Sequence, residues 1–338
     1  MNQPVRVSIA GLASARTGTH DPSGEEGPSA ALLAGVLTRL GIPVELRPER
    51  DADSIGPTAL VDLLPPLETP SKALGVWCHP TACLWQHREQ EATFADHVEA
   101  AQRAGVSQIF LLGAPDHPRA GGEPWQEWLR PLLPFAAVLC AQADHLLQTL
   151  DPDSASTLAE TGALEQLPRW LNGGILHDLS NYLMSCGAGV VLIGLREHGV
   201  YLRTNPNSER VSFIRKFAPG DHIAAHLAMW TERDMLIPPF EIAGAGDRSS
   251  VDALAAGFIA SILHGLTPGE AIRMGAAVSA SAAETEHPYE SMPLWEAVEA
   301  RVEGGWPQGH CGLDLGGWSA SQSESDHESS QSESDDDA

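Results

Sequence analysis

Asp252 has the residue type and the position for phosphate chemistry. It follows an apolar, strand-like segment and a turn, and it opens an amphipathic helical pattern in which Leu254, Phe258 and Ile262 recur at four-residue spacing. Backbone N–H groups in the first turn of a helix lack partners within the helix, and the helix dipole favours an anion there. A carboxylate beside a bound phosphate can act as a base toward an incoming hydroxyl group. The alternative is an ordinary acidic residue at a helix N-terminus, and the motif alone favours neither.

A second helix is predicted directly after the first. Thr267 has the position of its N-cap, Pro268 that of its first helical residue, and Glu270 completes a capping box. Residues 275–283 are almost all Gly, Ala or Ser. A helix with so little side-chain bulk can approach another backbone or a flat ligand closely, and close helix packing alone would explain the same pattern.

These two helical patterns resemble the end of the ribokinase-like (PfkB) family of carbohydrate kinases. In that family a Gly-Ala-Gly-Asp turn precedes a helix reading roughly Asp-Ala-x-x-Ala-Gly-Phe, and a small-residue helix follows a Leu-x-Pro-x-Glu-Ala turn. This chain has Asp252-Ala253-Leu254-Ala255-Ala256-Gly257-Phe258, then Leu266-Thr267-Pro268-Gly269-Glu270-Ala271. The resemblance implies an α/β fold with a doubly wound, mostly parallel sheet flanked by helices. It also implies ATP and Mg²⁺ as cofactors, and phosphate transfer to an alcohol group of a sugar or nucleoside-like molecule.

Two aspartates compete for the role of the base. Asp247 ends the Gly-Ala-Gly-Asp run 244–247, which matches the family's turn by eye but lies five positions upstream of Asp252. With Asp247 as the base, five extra residues would displace it by more than a helical turn. With Asp252 as the base the helix needs no insertion, although Ser249, Ser250 and Val251 then replace the glycines. We prefer Asp252, with the N–H groups of that turn seating phosphates. Arg248 either adds positive charge there or is a solvated loop residue.

Other family positions are matched unevenly. The run 190–203 resembles the strand–turn–strand beside the nucleotide, with Arg196 where a glycine is usual and Gly199 near the end of the turn. Ala280, on the small-residue helix, is placed beside the nucleotide by the same resemblance. Where the family has Asn-x-x-Glu, which helps organise magnesium and phosphates, this chain has Ala-Gln-Ala followed by Asp144. Asp144 is therefore a candidate magnesium ligand or a polar residue at a helix start.

The sugar-binding features of the family are missing. Its Gly-Gly-x-x-x-Asn motif would fall on residues 28–33, which have neither the glycines nor the Asn, and its acceptor Asp is absent from residues 11–15. The segment between Gly41 and Leu74 leaves little room for the usual extra strands, so we expect a reduced or absent substrate lid. Two functions therefore remain: a carbohydrate kinase, favoured by Asp252 and the helix pair, and a catalytically silent protein of the same fold that serves as a binding or scaffold module.

Composition favours one domain, residues 1–318, with a disordered acidic tail, residues 319–338. The formal net charge is −25 and the tail has no Lys or Arg. This charge opposes nucleic acid and anionic membranes, while a basic partner of the tail and a homodimer are left open. Five scattered cysteines predict reduced thiols and a cytoplasmic protein. Cys78, His79, Cys83 and His87 lack standard zinc spacing, and no run of eighteen apolar residues predicts a membrane span.

Truncation after Trp318 should leave the melting temperature almost unchanged. The removed residues contain no apolar side chain larger than alanine, so they have little surface to bury and contribute little folding energy. The measurement is a thermal melt of the full chain and the truncated chain in the same buffer. A drop of many degrees would show instead that the tail docks on the body.

Overall fold

A single sheet of eight strands organises the part of the chain that the computed structural model describes, residues 6–11, 30–48, 73–78, 98–113, 129–218, 222–243, 251–285 and 291–314. The strands are β1 (Arg6–Gly11), β2 (Val44–Pro48), β3 (Ala73–Cys78), β4 (Ser107–Leu112), β5 (Ala136–Gln142), β6 (Val190–Gly194), β7 (Val200–Thr204) and β8 (Asp234–Ile237). Their order is β2-β1-β3-β4-β5-β6-β7-β8, with parallel pairs from β2 to β6 and antiparallel pairs at β6–β7 and β7–β8. The predicted mostly parallel sheet is confirmed.

Helices cover both faces of this sheet. They are α1 (Ala30–Arg39), α2 (Ala143–Leu150), α3 (Pro152–Glu160), α4 (Gly173–Ser185), α5 (Ile223–Trp230), α6 (Val251–Leu263), α7 (Pro268–Ala283) and α8 (Trp295–Glu303), and residues 98–103 are also helical. The predicted capping box at the start of α7 is present: the Thr267 N–H donates to Glu270 Oε2 at 2.8 Å and the Glu270 N–H donates to Thr267 Oγ1. Helix α4 begins at Gly173, because the side chain of Asn172 caps it by accepting from the Ile175 N–H.

The core is divided between the two faces of the sheet. Every residue of β4, β5 and β6 is buried, as expected for strands with helices on both sides. One cluster of buried side chains includes α1, α6 and α7, and the other includes α2 and α4. Trp230 and Phe258 meet edge to face in the first cluster, with ring centroids 5.9 Å apart. This packing fixes α6, and with it Asp252, against the centre of the sheet.

Helices α6 and α7 pack in close contact, and glycines make this possible. A Cβ added at Gly257 would lie 2.6 Å from Val278 Cβ and 3.0 Å from Gly275 Cα. The small side chains of α7 are thus used in helix packing at these positions, which favours the packing explanation over a ligand face there.

Some predicted features lie outside the described residues. These include most of the candidate lid between β2 and β3, residues 12–29 with most of the family's sugar-binding positions, and the acidic tail with the domain boundary at 318. Of the cysteine and histidine cluster, Cys78 alone is described. Within the described residues, no helix combines the length and the apolar character that a membrane crossing needs.

Stability should fall as the pH is lowered because of His226 in α5. His226 is buried, and desolvation lowers its pKa below the ordinary value, with a smaller opposing effect of Glu270. The unfolded chain therefore binds this proton more readily than the folded chain does, so the stabilisation is complete above the unfolded pKa of about 6.5 and decreases below it. The measurement is the free energy of unfolding between about pH 7.5 and pH 5.5. His226→Asn should show a smaller decrease than the wild type, and equal slopes would contradict the assignment.

Candidate active site

The carboxyl ends of β5 and β6 form the central part of the candidate site. These strands are adjacent and parallel, with Gln142 paired to Gly194 at their ends. Helix α2 begins directly after β5, and a 3₁₀ turn, Arg196–His198, follows β6. In doubly wound folds, ligands bind in the crevice at this edge of the sheet. The fold therefore brings the predicted positions Asp144, Arg196 and Gly199 to the edge where a ligand is expected.

Asp252 approaches the same edge from the helix above it. It is the second residue of α6 and is 3 % exposed. Burial raises the pKa of the Cys140 thiol, and the negative charge of Asp252 raises it further. Cys140 lies two residues before the end of β5, so the charge of Asp252 acts on a group near that end of the strand. The carboxylate is thus buried at the start of a helix that packs against β5.

Asp144 and Arg196 form an ion pair across the ends of the two strands. Arg196 Nη2 donates to Asp144 Oδ2 at 2.5 Å, and the side chains are 33 % and 5 % exposed. Burial opposes the charge on Arg196, but the attraction of Asp144, with smaller contributions from Glu197 and Glu165, outweighs it and raises the arginine pKa. Asp144, which the resemblance makes a candidate magnesium ligand, is therefore paired with the guanidinium group of Arg196.

The turn after β6 has a strained backbone at Arg196. Its φ of 53° lies in the left-handed region, which glycine adopts easily and other residues adopt at a cost of about 1–3 kcal/mol. Gly199 has a φ of 105°, and a Cβ there would lie 2.1 Å from the Ile237 carbonyl oxygen of β8. Gly199 is therefore required by close packing of the turn. The glycine usual at position 196 matches the observed conformation, although this chain has an arginine there.

The remaining predicted positions are only partly described. Arg248, Ser249 and Ser250 lie outside the described residues, so their proposed contacts to phosphates stay predictions. Val251 begins α6 and is 5 % exposed, and Ala280, in the last turns of α7, is 9 % exposed. Both small side chains are thus in the core, close to the helix ends where the resemblance places a nucleotide.

Sequence reasoning missed an ion pair that holds the chain at residue 243, just before the segment for which phosphate contacts are predicted. Glu284, the C-cap of α7, accepts hydrogen bonds from Arg301 at 2.5 and 2.9 Å and from the Ala243 N–H at 3.1 Å. The bonds from Arg301 lower the Glu284 pKa, and the guanidinium carbon lies 3.4 Å from the centre of the Trp306 ring. These residues are far apart in sequence, so only the folded chain shows that they anchor position 243.

No protein-family model and no curated protein sequence matches this chain at a significant level. Solved structures do match it. A protein described as ribokinase II from E. coli, in complex with ATP and Mg²⁺, aligns with a TM-score of 0.52 and 11 % identity over 89 % of this chain and 99 % of that chain. Arabidopsis thaliana ribokinase, complexed with ribose and ATP, aligns with a TM-score of 0.51 and 11 % identity over 90 % and 99 %. Aminoimidazole riboside kinase from Salmonella enterica aligns with a TM-score of 0.50 and 13 % identity over 88 % and 99 %.

The sheet order and the helices on both faces define a doubly wound α/β protein, a class in which ligands bind at the carboxyl edge of the sheet. The alignments over most of each chain then specify the fold further: it is ribokinase-like, as the motifs of α6 and α7 predicted. At these identities the likeness concerns the fold, and the chemistry has to be argued from the residues of this chain.

Proposed function

We propose that the protein is an ATP-dependent phosphotransferase that acts on an alcohol group of a sugar or nucleoside-like small molecule. The observation that carries the proposal is the buried carboxylate of Asp252 in the first turn of α6, at the carboxyl edge of a ribokinase-like sheet. The aligned E. coli and A. thaliana structures are described as complexes with ATP, which supports ATP as the donor. Mg²⁺ is proposed as the cation that accompanies the nucleotide.

The proposed reaction rests on positioning and on charge. The unpaired N–H groups at the start of α6 would face the terminal phosphates, with Ser250 and Val251 supplying two of them. The acceptor hydroxyl would lie between Asp252 and the terminal phosphorus. As its oxygen attacks the phosphorus, the proton passes to the Asp252 carboxylate, and the bond from phosphorus to the ADP oxygen breaks. Asp252 thus acts as the general base.

A catalytically silent binding or scaffold protein is the second candidate. The observation that favours it is the Asp144–Arg196 ion pair. Asp144 stands where the resembled kinases have an acid that helps to organise metal and phosphates, and here that carboxylate is paired with an arginine. The acidic tail, which lies outside the described residues, would then supply contacts to a basic partner. Under both candidate functions we propose that the protein is cytoplasmic. A homodimer is compatible with either function.

Calorimetry with ATP and Mg²⁺, followed by assays of ADP release with a panel of sugars and nucleosides, separates the two candidates. A phosphotransferase binds the nucleotide and releases ADP in the presence of at least one alcohol of the panel. Binding of ATP without turnover on any acceptor would support the silent candidate. Absence of nucleotide binding would contradict the proposed function.

A further inference from the structure

The Asp144–Arg196 ion pair determines what kind of charge the candidate site offers to a ligand. The pair is almost fully buried on the Asp144 side and one-third exposed on the Arg196 side. The Arg196 side chain is therefore more accessible to a ligand than the Asp144 carboxylate is. A positive group at this edge of the sheet is suited to an anionic ligand.

The residues of the pair do not fit a protein-held magnesium ion. Mg²⁺ is octahedral, and proteins usually hold it through one or two carboxylates together with phosphates and water. Asp144 Oδ2 already accepts from Arg196, and a cation bound to the same carboxylate would be repelled by the guanidinium charge.

Arg196 has unused capacity to donate hydrogen bonds. Among the described residues, Nη2 alone has an acceptor, Asp144. Among these residues Nε is buried without an acceptor, and Asp144 Oδ1 is buried without a donor, so a ligand can bind only the exposed part of the Arg196 side chain. A guanidinium group presents its donors in a planar fork that matches the oxygens of a phosphate. Glu197 and Glu165 oppose an anion here, but both are exposed, so salt screens their charge more than that of the buried pair.

The strained backbone of Arg196 is consistent with a fixed position for its side chain. The left-handed conformation at this residue is unfavourable for any side chain, and the bond to Asp144 helps to hold the turn in it. Glu197 lies 3.2 Å from His198 Nε2, and its charge acts on the guanidinium group less than that of Asp144 does. His198 is fixed in turn, because its Nδ1–H donates to the Cys311 carbonyl at 2.7 Å. The turn is therefore held at the arginine and at the residues that follow it.

We propose that Arg196, positioned by Asp144, is the resident cation of the site, and that it binds the phosphates of the ligand without a metal ion held by the protein. The identification of the ligand as ATP rests on the proposed function. Asp144 is then a positioning residue that acts through Arg196. Any magnesium that arrives with ATP is held by phosphates and water.

Calorimetry on the full chain tests this proposal with ATP in EDTA, ATP with excess Mg²⁺, and tripolyphosphate in EDTA. For the wild type we expect the Kd of ATP to differ by less than about threefold between the two ATP buffers. Arg196→Gln should raise the Kd of ATP in both buffers by about tenfold to a hundredfold. Arg196→Lys should raise it by less, because lysine keeps the charge but lacks the planar fork of donors. Asp144→Asn should leave the ratio of the two Kd values unchanged.

Arg215→Gln is the matched control for the lost charge. Arg215 is exposed, and its neighbour Lys216 donates to Ser107 at the amino end of β4, so the control lies at the opposite edge of the sheet. This variant should bind ATP like the wild type. If Arg196→Gln fails to fold because Asp144 is left buried without its partner, the double variant Arg196→Gln, Asp144→Asn replaces both charges by amides and serves the same comparison.

The outcomes separate this inference from the proposed function. Binding of ATP only with Mg²⁺, or an Asp144→Asn variant that loses affinity only with Mg²⁺, overturns the inference and leaves the proposed function in place. A wild type that binds tripolyphosphate but not ATP, with tripolyphosphate binding lost in Arg196→Gln, supports the arginine site. The same result contradicts the nucleotide function. If neither ligand binds in any buffer, both are overturned.

Discussion

In the Asp252→Asn variant we expect phosphate transfer to fall by about a hundredfold or more, the usual effect of losing a general base. The amide has nearly the shape of the carboxylate but cannot take the proton of the acceptor hydroxyl. Asp252 is 3 % exposed in the first turn of α6, so a neutral side chain of the same size should fit the site without loss of fold. The measurements are kcat for ADP release with the best acceptor and a thermal melt.

Asp247→Asn is the matched control, because it removes a carboxylate from the other candidate position for the base. Activity close to wild type is expected in this variant, and ATP binding by calorimetry should persist in both. Loss of turnover in Asp247→Asn, together with normal turnover in Asp252→Asn, would show that the Gly-Ala-Gly-Asp run 244–247 carries the base. An equal, small effect of both substitutions would show that neither aspartate is the base.

The sheet could be predicted from the sequence because its central strands are buried on both faces. Such strands are short runs of apolar residues, and the runs around Val138–Cys140 and Val190–Ile193 are strands β5 and β6 in the structure. The start of α7 was predictable for a local reason, its capping box. The start of α4 has a local signal of the same kind, the N-cap Asn172, although it is followed by two glycines.

The site was less predictable than the fold, because its contacts join distant residues. Asp144 and Arg196 were each selected by resemblance, but their pairing is between residues 52 positions apart and was not expected. Similarly, nothing local in the sequence links Glu284 to Arg301 or to Ala243. A motif identifies residues that share a pattern with a family, whereas charge compensation within a site depends on packing that the pattern does not contain.

Gly257→Ala should reduce the free energy of unfolding by about 1–3 kcal/mol, the usual cost of overpacking a core. The added Cβ would lie 2.6 Å from Val278 Cβ, 2.9 Å from Val278 Cγ2 and 3.0 Å from Gly275 Cα, so it meets backbone and a stiff, β-branched side chain that cannot turn away. Alanine favours a helix over glycine by up to about 1 kcal/mol, which offsets only part of this cost. Chemical denaturation of both proteins measures the difference.

Gly269→Ala provides the matched control, since it is the same substitution in the neighbouring helix α7. A Cβ there would meet only Met235 Cε, the end of a flexible side chain, at 3.3 Å, so we expect a stability equal to or above that of the wild type. Because α6 carries Asp252 at its first turn, the shift that Gly257→Ala forces on the helix should also lower turnover in the folded protein, whereas Gly269→Ala should not. If both variants are equally stable and equally active, α6 and α7 are packed more loosely than the structure shows, and the close contact of the two helices does not position the base.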